Sequence, residues 1–298
     1  MHVLSDNMSL MIKLADSSTA PYIRKMWLDC FHDSPEFMDL YFSEKYKNEN
    51  TLLYEEDEKP VASLQLLPYQ FSFYGKEVSS AYISGACTLP EYRKRGYMGR
   101  LLNEAFRLMH SRNIPISILI PAEDWLYGYY ARYGYAKVFE KGNAPVLLSR
   151  IAEWSQDEVD RAYTQFDALF RNKDFCVQKT KEDFVTIMKE MELEHFQPKT
   201  NLAGMARIID AEYLLEIFAG KHQGEAFEVQ VKDEILEFNS GRYRIERGSV
   251  VKSDILSPDL QTVDVQVLCK YLMGISDPLT CSIPYFAPHS PVMNLMLE

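Results

Sequence analysis

The chain has 298 residues, 47% of them apolar and 25% charged, with a formal net charge of −11. This composition is typical of a globular protein with a substantial core, and the length suits about two domains. The acidic excess disfavours nucleic-acid binding, because phosphate contacts need a basic face. It is compatible with a cationic substrate such as an amine, although solubility alone also explains it.

Cysteine and histidine placement gives no sign of a disulfide framework or a metal site. The five cysteines are odd in number, scattered and without a C-x-x-C pair, and the histidines show no metal-ligand spacing. Residues 1–13 lack a basic segment followed by an apolar one, and no apolar run approaches the length of a membrane span. We therefore expect a cytoplasmic protein with no metal and no membrane partner.

The first third of the chain predicts a strand, a helical stretch and then a meander. A short strand over 11–14 precedes an Asp/Ser cluster that favours a helix N-terminus, and helical sequence continues to about Lys47. Turn-forming residues, among them Pro68 and Gly75, then separate strands that we expect to be antiparallel. These strands are predicted at 52–54, 61–67, 71–74 and 82–88.

After Pro90 the pattern becomes helical. Apolar residues recur at helical spacing from Met98 to Met109, which predicts a helix with one buried face. A β-branched run at 116–120 predicts a buried strand. A helix over 125–132 and a strand over 135–139 follow.

The remainder divides into a helical stretch and a small α+β unit. Thr180 and Asp183 are spaced as a capping box within the helical stretch, and Asp210 is placed to cap a later helix. Strands, hairpin turns and a helix ending before Gly274 come after it. The predicted domains are residues 1–150, a helical connecting segment at 151–200, and a smaller domain at 201–298.

The stretch 82–99, Y-I-S-G-A-C-T-L-P-E-Y-R-K-R-G-Y-M-G, carries the chemical signal. A strand ends at Thr88, and a basic loop containing Gly96 opens a helix, whose N-terminus presents free N–H groups. This arrangement suits a pyrophosphate. An ordinary solvated loop before an amphipathic helix is the alternative. The basic side chains are Arg93, Lys94, Arg95 and Arg100.

The run P-E-Y-R-K-R-G resembles the acyl-CoA signature of the GNAT N-acetyltransferase superfamily, R/Q-x-x-G-x-G/A. Arg93 and Gly96 match it, whereas Met98 stands where the family usually has Gly or Ala. In this respect the chain resembles the enhanced-intracellular-survival (Eis) branch of the superfamily, which has a larger residue at that place. Downstream, residues 129–135, Y-Y-A-R-Y-G-Y, resemble the family's F-Y-x-x-x-G-F segment.

This resemblance covers roughly residues 11–145 and implies an α+β fold, the GNAT fold, with a mixed, mostly antiparallel sheet flanked by helices. A weaker similarity over 210–274 is to the sterol-carrier-like domain that ends Eis-type proteins. Those proteins usually carry a further acetyltransferase-like domain in the middle, for which 151–200 is too short, so this chain would be a shortened relative.

The resemblance implies acetyl-CoA as cosubstrate and a primary amine, of a small molecule or a protein lysine, as acceptor by direct attack. The end of the strand would pair with pantetheine, and backbone N–H groups of the loop would hold the pyrophosphate. The implied cofactor-binding residues are Ala86, Cys87, Thr88, Arg93, Lys94, Arg95, Gly96, Tyr97, Met98, Gly99 and Arg100.

Two catalytic roles also follow from the resemblance. Tyr130 falls at the family's general acid, although most of the 19 tyrosines will simply pack in the core. The α-carboxylate of Glu298 would be the base, as in Eis-type enzymes; a C-terminus docked only for packing is the alternative. Cys87 is interpreted as structural, because no histidine is placed to activate it.

Two other functions remain open from the sequence. One is a noncatalytic acyl-CoA sensor or scaffold, which the unusual Met98 and the missing middle domain make worth testing. The other is lipid binding through the C-terminal domain, for which fold similarity is weak support. Homo-oligomer formation also stays open, since Eis-type relatives tend to self-associate.

Overall fold

The computed structural model describes residues 11–142, 155–195, 201–275 and 288–296. This part of the chain forms two sheets and eight α-helices. The strands are β1 (Ile12–Leu14), β2 (Thr51–Glu56), β3 (Lys59–Phe73), β4 (Lys76–Thr88), β5 (Ile116–Leu119), β6 (Ala136–Phe139), β7 (Cys176–Gln178), β8 (Gly204–Ile208), β9 (Ala226–Lys232), β10 (Gly241–Glu246), β11 (Ser249–Ser253) and β12 (Thr262–Asp264). The helices are α1 (Ala20–Phe31), α2 (Pro35–Glu44), α3 (Tyr97–Ser111), α4 (Asp124–Ala131), α5 (Gln156–Phe170), α6 (Lys181–Glu194), α7 (Ala211–Lys221) and α8 (Val265–Leu272).

The larger sheet has the order β1-β2-β3-β4-β5-β8-β6, and β7 pairs with the far end of β3. Every pairing in it is antiparallel except that of β4 with β5. The prediction of an α+β fold with a mixed, mostly antiparallel sheet is therefore confirmed.

The two faces of this sheet pack against different helices, because side chains alternate along a strand. On one face, Leu64 and Ala81 pack with Leu101 and Phe106 of α3. The side chains that alternate with these along the strands point to the other face, where they pack against α1 and α2. That second cluster includes Trp27, Tyr41, Leu67 and Tyr82.

Strand β3 is longer than its sequence predicts. The analysis separated 61–67 from 71–74 at Pro68, whereas the structure has one strand through that residue. β2 pairs with β3 only up to Gln65, and β7 pairs with it only from Gln70. Pro68 is exposed in the gap between these two partners, where a missing N–H costs no ladder hydrogen bond.

The predicted domain boundary at residue 201 would assign strand β8 to the smaller, C-terminal domain. Instead, β8 is hydrogen-bonded between β5 and β6 and completes the larger sheet. Sequence patterns predict no strand at 204–208, because five residues are too few to show a clear period. The larger sheet thus combines strands from the first half of the chain with β7 and β8 from the second half.

The smaller sheet has the order β11-β10-β9-β12 and packs against α7 and α8. Asp210 caps α7, and Gly274 has the positive φ, 69°, expected after the end of α8. One of the hairpin turns predicted in this part of the chain lies at 247–248, between β10 and β11. Between the sheets, the Arg207 guanidinium of β8 makes a buried, bidentate ion pair with Asp233.

The connecting stretch 155–195 consists of α5, β7 and α6. Its predicted capping box is present: the Thr180 hydroxyl accepts a hydrogen bond from the Asp183 N–H, and the Asp183 carboxylate accepts one from the Thr180 N–H. Because β7 joins the edge of β3, this stretch contributes a strand to the larger sheet.

In the described part of the chain, no helix is long and apolar enough to cross a bilayer.

Candidate cofactor and catalytic site

Strands β4 and β5 separate in the middle of the larger sheet. They pair only where Ser80–Tyr82 face Ile116–Ile118, and β4 then runs on to Thr88 without β5 beside it. No other described strand covers this edge of β4. The backbone groups of residues 83–88 on that edge are therefore placed to pair with an extended ligand, as an added strand would.

A β-bulge bends β4 at this point. Ser63 pairs with Cys87 and Gln65 with Ser84, so β4 has one residue more than β3 between these pairs. Gly85 supplies the positive φ of 56° that the bulge needs. A Cβ at Gly85 would collide with the Trp27 ring, so α1 packs directly against the bulged backbone.

The loop after β4 forms a concave run of backbone. Lys94 and Gly96 both have positive φ, 65° and 82°, and Gly96 is followed directly by α3. No side chain caps this helix N-terminus, and its first turn has no acidic residue. The free N–H groups and the positive end of the helix dipole are thus open to an anion. A Cβ at Gly96 would meet nothing within 4 Å, so the space above it is open.

Four basic side chains at this site are exposed to solvent: Arg93, Lys94 and Arg95 in the loop, and Arg100 in the first turn of α3. The Arg93 Nε donates to the Thr88 carbonyl oxygen at 3.1 Å. Arg95 pairs with Glu56 at 3.1 Å, and Arg100 donates to the Tyr54 hydroxyl at 2.9 Å. These partners orient the side chains and leave them exchangeable for a ligand at small cost.

The two motifs found in the sequence meet in space at Gly99. A Cβ there would collide with the Tyr133 hydroxyl, so this glycine lets α3 approach the segment 129–135. Met98 is only half-buried and packs against the same apolar cluster. The residue that must be small in this chain is therefore Gly99, one place later than the family signature has it.

Tyr130 lies at the end of α4 in that cluster and is 8% exposed. Its ring packs against those of Tyr129 and Tyr135, with centroids 5.3 and 5.7 Å apart. Burial raises the pKa of the Tyr130 hydroxyl to about 12. The phenol therefore keeps its proton at neutral pH, as a general acid must.

Glu298 lies outside the described residues. The described C-terminal stretch ends at Met296, which is buried. The Met296 sulfur lies 3.3 Å from Lys179 Nζ, and this ammonium is 4.6 Å from the centroid of the Tyr69 ring. Met296 thus packs on the face of the sheet that carries Tyr69 and Tyr82.

Sequence reasoning missed a group of buried polar side chains on this face. Lys179 is 3% exposed, and burial lowers its pKa to about 7. The Tyr69 hydroxyl and Gln65 Nε2 are buried and have no hydrogen-bond partner among the residues that the structure describes. Gln65 Oε1 accepts from Tyr41. The available signal was Gln65 between Leu64 and Leu66 in an apolar strand.

Sequence and fold comparisons agree with this geometry. Residues 11–138 match the family model described as acetyltransferase (GNAT) domain. The protein therefore belongs to the acyltransferase class of enzymes. In particular, it carries a GNAT acetyltransferase domain, as its two motifs predict.

Solved structures with the same fold cover nearly the whole chain. A probable N-acyltransferase from Enterococcus faecalis is 14% identical with a TM-score of 0.66, and the match covers 92% of each chain. Eis1 from Mycobacterium abscessus is 13% identical with a TM-score of 0.64, over 95% of this chain and 98% of that one. A GCN5-related N-acetyltransferase from Anabaena variabilis is 16% identical with a TM-score of 0.60, over 92% of each. No curated protein matches the chain.

Proposed function

We propose that this protein is an acetyl-CoA-dependent N-acetyltransferase that acts on a primary amine of a small molecule or a protein lysine. The observation that carries the proposal is the free edge of β4 beyond Tyr82, which leads into the open N-terminus of α3. An extended chain ending in a pyrophosphate has a place for both of its parts there.

Acetyl-CoA is the cosubstrate in this proposal, and it supplies an activated thioester. The backbone of Ala86–Thr88 pairs with its pantetheine arm. The N–H groups of Arg95–Arg100 hold the pyrophosphate, and the Arg93 and Lys94 side chains add positive charge. The exposed position of these side chains and the open space at Gly96 support this assignment.

Transfer is direct in this proposal. The nitrogen of the neutral amine attacks the thioester carbonyl carbon, a C–N bond forms, and the C–S bond breaks. Tyr130 gives its phenolic proton to the leaving sulfur, and its raised pKa keeps that proton available. The acceptor ammonium must lose a proton before attack, which requires a base.

The α-carboxylate of Glu298 remains our candidate for that base. The burial of Met293 and Met296 supports a C-terminus that is held rather than frayed. Appending a few residues after Glu298 removes the carboxylate from its place. We expect such a variant to bind acetyl-CoA normally but to turn over slowly, whereas full turnover would favour a docked tail with a packing role only.

Calorimetric titration with acetyl-CoA tests the proposal first. We expect a Kd of about 1 μM, which corresponds to a binding free energy of about −8 kcal/mol. Gly96→Asp places a carboxylate where the pyrophosphate would bind and should raise the Kd above about 1 mM. Gly75→Asp is the matched control, because Gly75 also has a positive φ, 77°, and open space around it, and it lies at the opposite end of β4 from the loop. Equal binding by both variants would place the phosphate site elsewhere.

Tyr130→Phe tests the catalytic half of the proposal. Loss of the acid should reduce kcat by about 100-fold and leave acetyl-CoA affinity nearly unchanged. Tyr129→Phe removes a neighbouring phenol that the mechanism does not use, and it should retain turnover. Wild-type protein that binds acetyl-CoA but releases no thiol with any amine would instead support the noncatalytic acyl-CoA sensor.

A further inference from the structure

Two cysteines distant in sequence meet beside the end of β4. Cys30 is the second-last residue of α1, and Cys87 is the second-last residue of β4. Each thiol shifts the pKa of the other, so the two are close neighbours. Cys30 Sγ also lies 3.6 Å from the Thr88 carbonyl oxygen, and Cys87 Sγ lies 3.6 Å from the Ser63 hydroxyl.

The two thiols have different surroundings. Cys30 is partly exposed, whereas Cys87 is 6% exposed. The Cys87 thiol and the Arg93 guanidinium both hydrogen-bond to the Cys30 sulfur and lower its pKa to about 7, although Asp29 and burial oppose them. The contact with Cys30 and burial raise the pKa of Cys87. One sulfur is thus a reachable thiolate, and the other is a protonated thiol next to it.

We propose that Cys30 and Cys87 form an oxidisable dithiol site, in which Cys30 reacts with hydroperoxides and Cys87 then closes a disulfide. A sensitive cysteine with these properties is exposed, ionised and adjacent to a resolving thiol. Cys87 contributes most to the lowered pKa of Cys30, and Arg93, the arginine of the cofactor signature, contributes as well.

The chemistry balances with a hydroperoxide as the only oxidant. The Cys30 thiolate attacks the terminal peroxide oxygen, the O–O bond breaks, and the alkoxide or hydroxide that leaves takes up a proton. This step oxidises the sulfur to a sulfenic acid. The Cys87 sulfur then attacks that sulfur, an S–S bond forms, and the hydroxyl leaves as water with the Cys87 proton.

A disulfide here would act on the strand that carries the proposed cofactor site. The two sulfurs of a disulfide are about 2.05 Å apart, so α1 must move toward β4 to bring Cys30 Sγ to Cys87 Sγ. Trp27 lies one helical turn before Cys30, and its ring already fills the space above Gly85. Closing the disulfide therefore presses Trp27 against the β-bulge. It also consumes the Cys30 thiolate with which Arg93 interacts.

Peptide mass spectrometry of the full-length protein tests the site directly. After mild hydrogen peroxide treatment and digestion with trypsin, we expect peptide 26–45 linked to peptide 77–93, and dithiothreitol should release the link. Cys176 and Cys269 are internal controls, because both are fully buried with raised pKa values. They should remain reduced at doses that convert Cys30.

Single variants identify the order of events. In Cys87→Ser, Cys30 should accumulate sulfenic acid that a dimedone probe traps, whereas Cys30→Ser should leave Cys87 reduced. A peroxide-treated wild-type protein in which Cys30 stays reduced would overturn the proposal. A Cys30 disulfide to any cysteine other than Cys87 would overturn the pairing.

The consequence for the cofactor rests on the proposed function and is measured separately. Oxidation should weaken acetyl-CoA binding by about tenfold, a common size for coupling between sites. The Cys30→Ser/Cys87→Ser variant should show no change with peroxide. If the disulfide forms and affinity does not change, the coupling is wrong and the dithiol stands. If reduced protein binds no acetyl-CoA, the proposed function fails while the linked peptides still report on the dithiol.

Discussion

Arginine appears in two contrasting regions of this protein. Arg207 is fully buried between the two sheets, where it makes a bidentate pair with Asp233 and lies 4.5 Å from the centroid of the Phe106 ring. Arg93 and Arg95, in the loop before α3, are exposed. Arg93 donates to the Thr88 carbonyl oxygen, and Arg95 contacts Glu56, the Glu91 carbonyl oxygen and the Tyr92 ring. The same side chain joins two layers of the fold in one region and faces solvent in the other.

The difference teaches how burial decides what a charge can do. A buried guanidinium that loses its carboxylate leaves an uncompensated charge, so its partner cannot be exchanged for a ligand. An exposed guanidinium gains little from its protein partner and can leave it for a phosphate. The exposed arginines before α3 can therefore contact a ligand, as the proposed function requires, at small cost to folding.

The largest effect should come from breaking the buried pair. Asp233→Ala leaves Arg207 charged and unpaired, and it removes one of the two acceptors of the Asn239 side chain. We expect the free energy of unfolding to fall by about 3–5 kcal/mol, measured by urea titration. The double variant Arg207→Met/Asp233→Leu is the control, and it should recover most of the loss. A single variant of wild-type stability would mean that the pair does not join the layers.

A smaller effect, of opposite sign, should come from Lys179, a buried cation that makes no salt bridge within the described part of the chain. Burial dominates its lowered pKa; Asp183 opposes this effect and Lys45 adds to it, and these two residues pair with each other. Lys179→Met should raise the free energy of unfolding by about 1–4 kcal/mol near pH 6.5, the range found when buried charges are replaced by apolar residues.

The pH dependence of Lys179 has a definite direction. Folded Lys179 loses its proton near pH 7, whereas the unfolded chain keeps it until about pH 10.5. Between these values the unfolded chain binds the extra proton, so wild-type stability should rise with pH. The advantage of Lys179→Met should therefore shrink from about pH 6.5 to about pH 9.5. An advantage that is constant over this range would show that the ammonium keeps its ordinary pKa.

The smallest effect on folding should come from the exposed loop. Arg95→Gln removes the ion pair with Glu56, and we expect the Tm to stay within the error of measurement. Acetyl-CoA binding should nevertheless weaken by about tenfold, and less at high salt, because charged partners are screened. Glu56→Gln is the matched control, since it breaks the same pair without removing positive charge. A large fall in Tm with Arg95→Gln would contradict the contrast between the two regions.

Local features of this fold could be predicted from sequence, and long-range ones could not. Helix α3, the helix predicted over 125–132 and the strand predicted over 135–139 follow from patterns over a few residues, and the structure confirms them as α3, α4 and β6. Gly96 has the positive φ that its place before α3 suggests. The contact between Gly99 and Tyr133 needed the structure, although both residues lie in recognised motifs. The family resemblance supplied the roles of Tyr130 and Glu298, and neither role follows from the residues themselves.

The missed features all join distant parts of the chain. Strand β8 enters the larger sheet from the last third of the sequence, and β7 reaches the end of β3. The Cys30–Cys87 contact and the burial of Lys179 beside Met296 have the same origin. Single-sequence patterns report periodicity within an element, and they carry no information about which edge receives that element.

The position of β8 also affects how the protein is made. A ribosome releases β5 and β6 long before residue 208, and until then each strand lacks the neighbour that it has in the finished sheet. Unpaired strand edges attract other chains, so the nascent protein passes through an aggregation-prone interval in which chaperones can bind. A polypeptide stopped at residue 150 would remain in that interval, which makes translation through β8 the step that commits the acetyltransferase sheet to its native form.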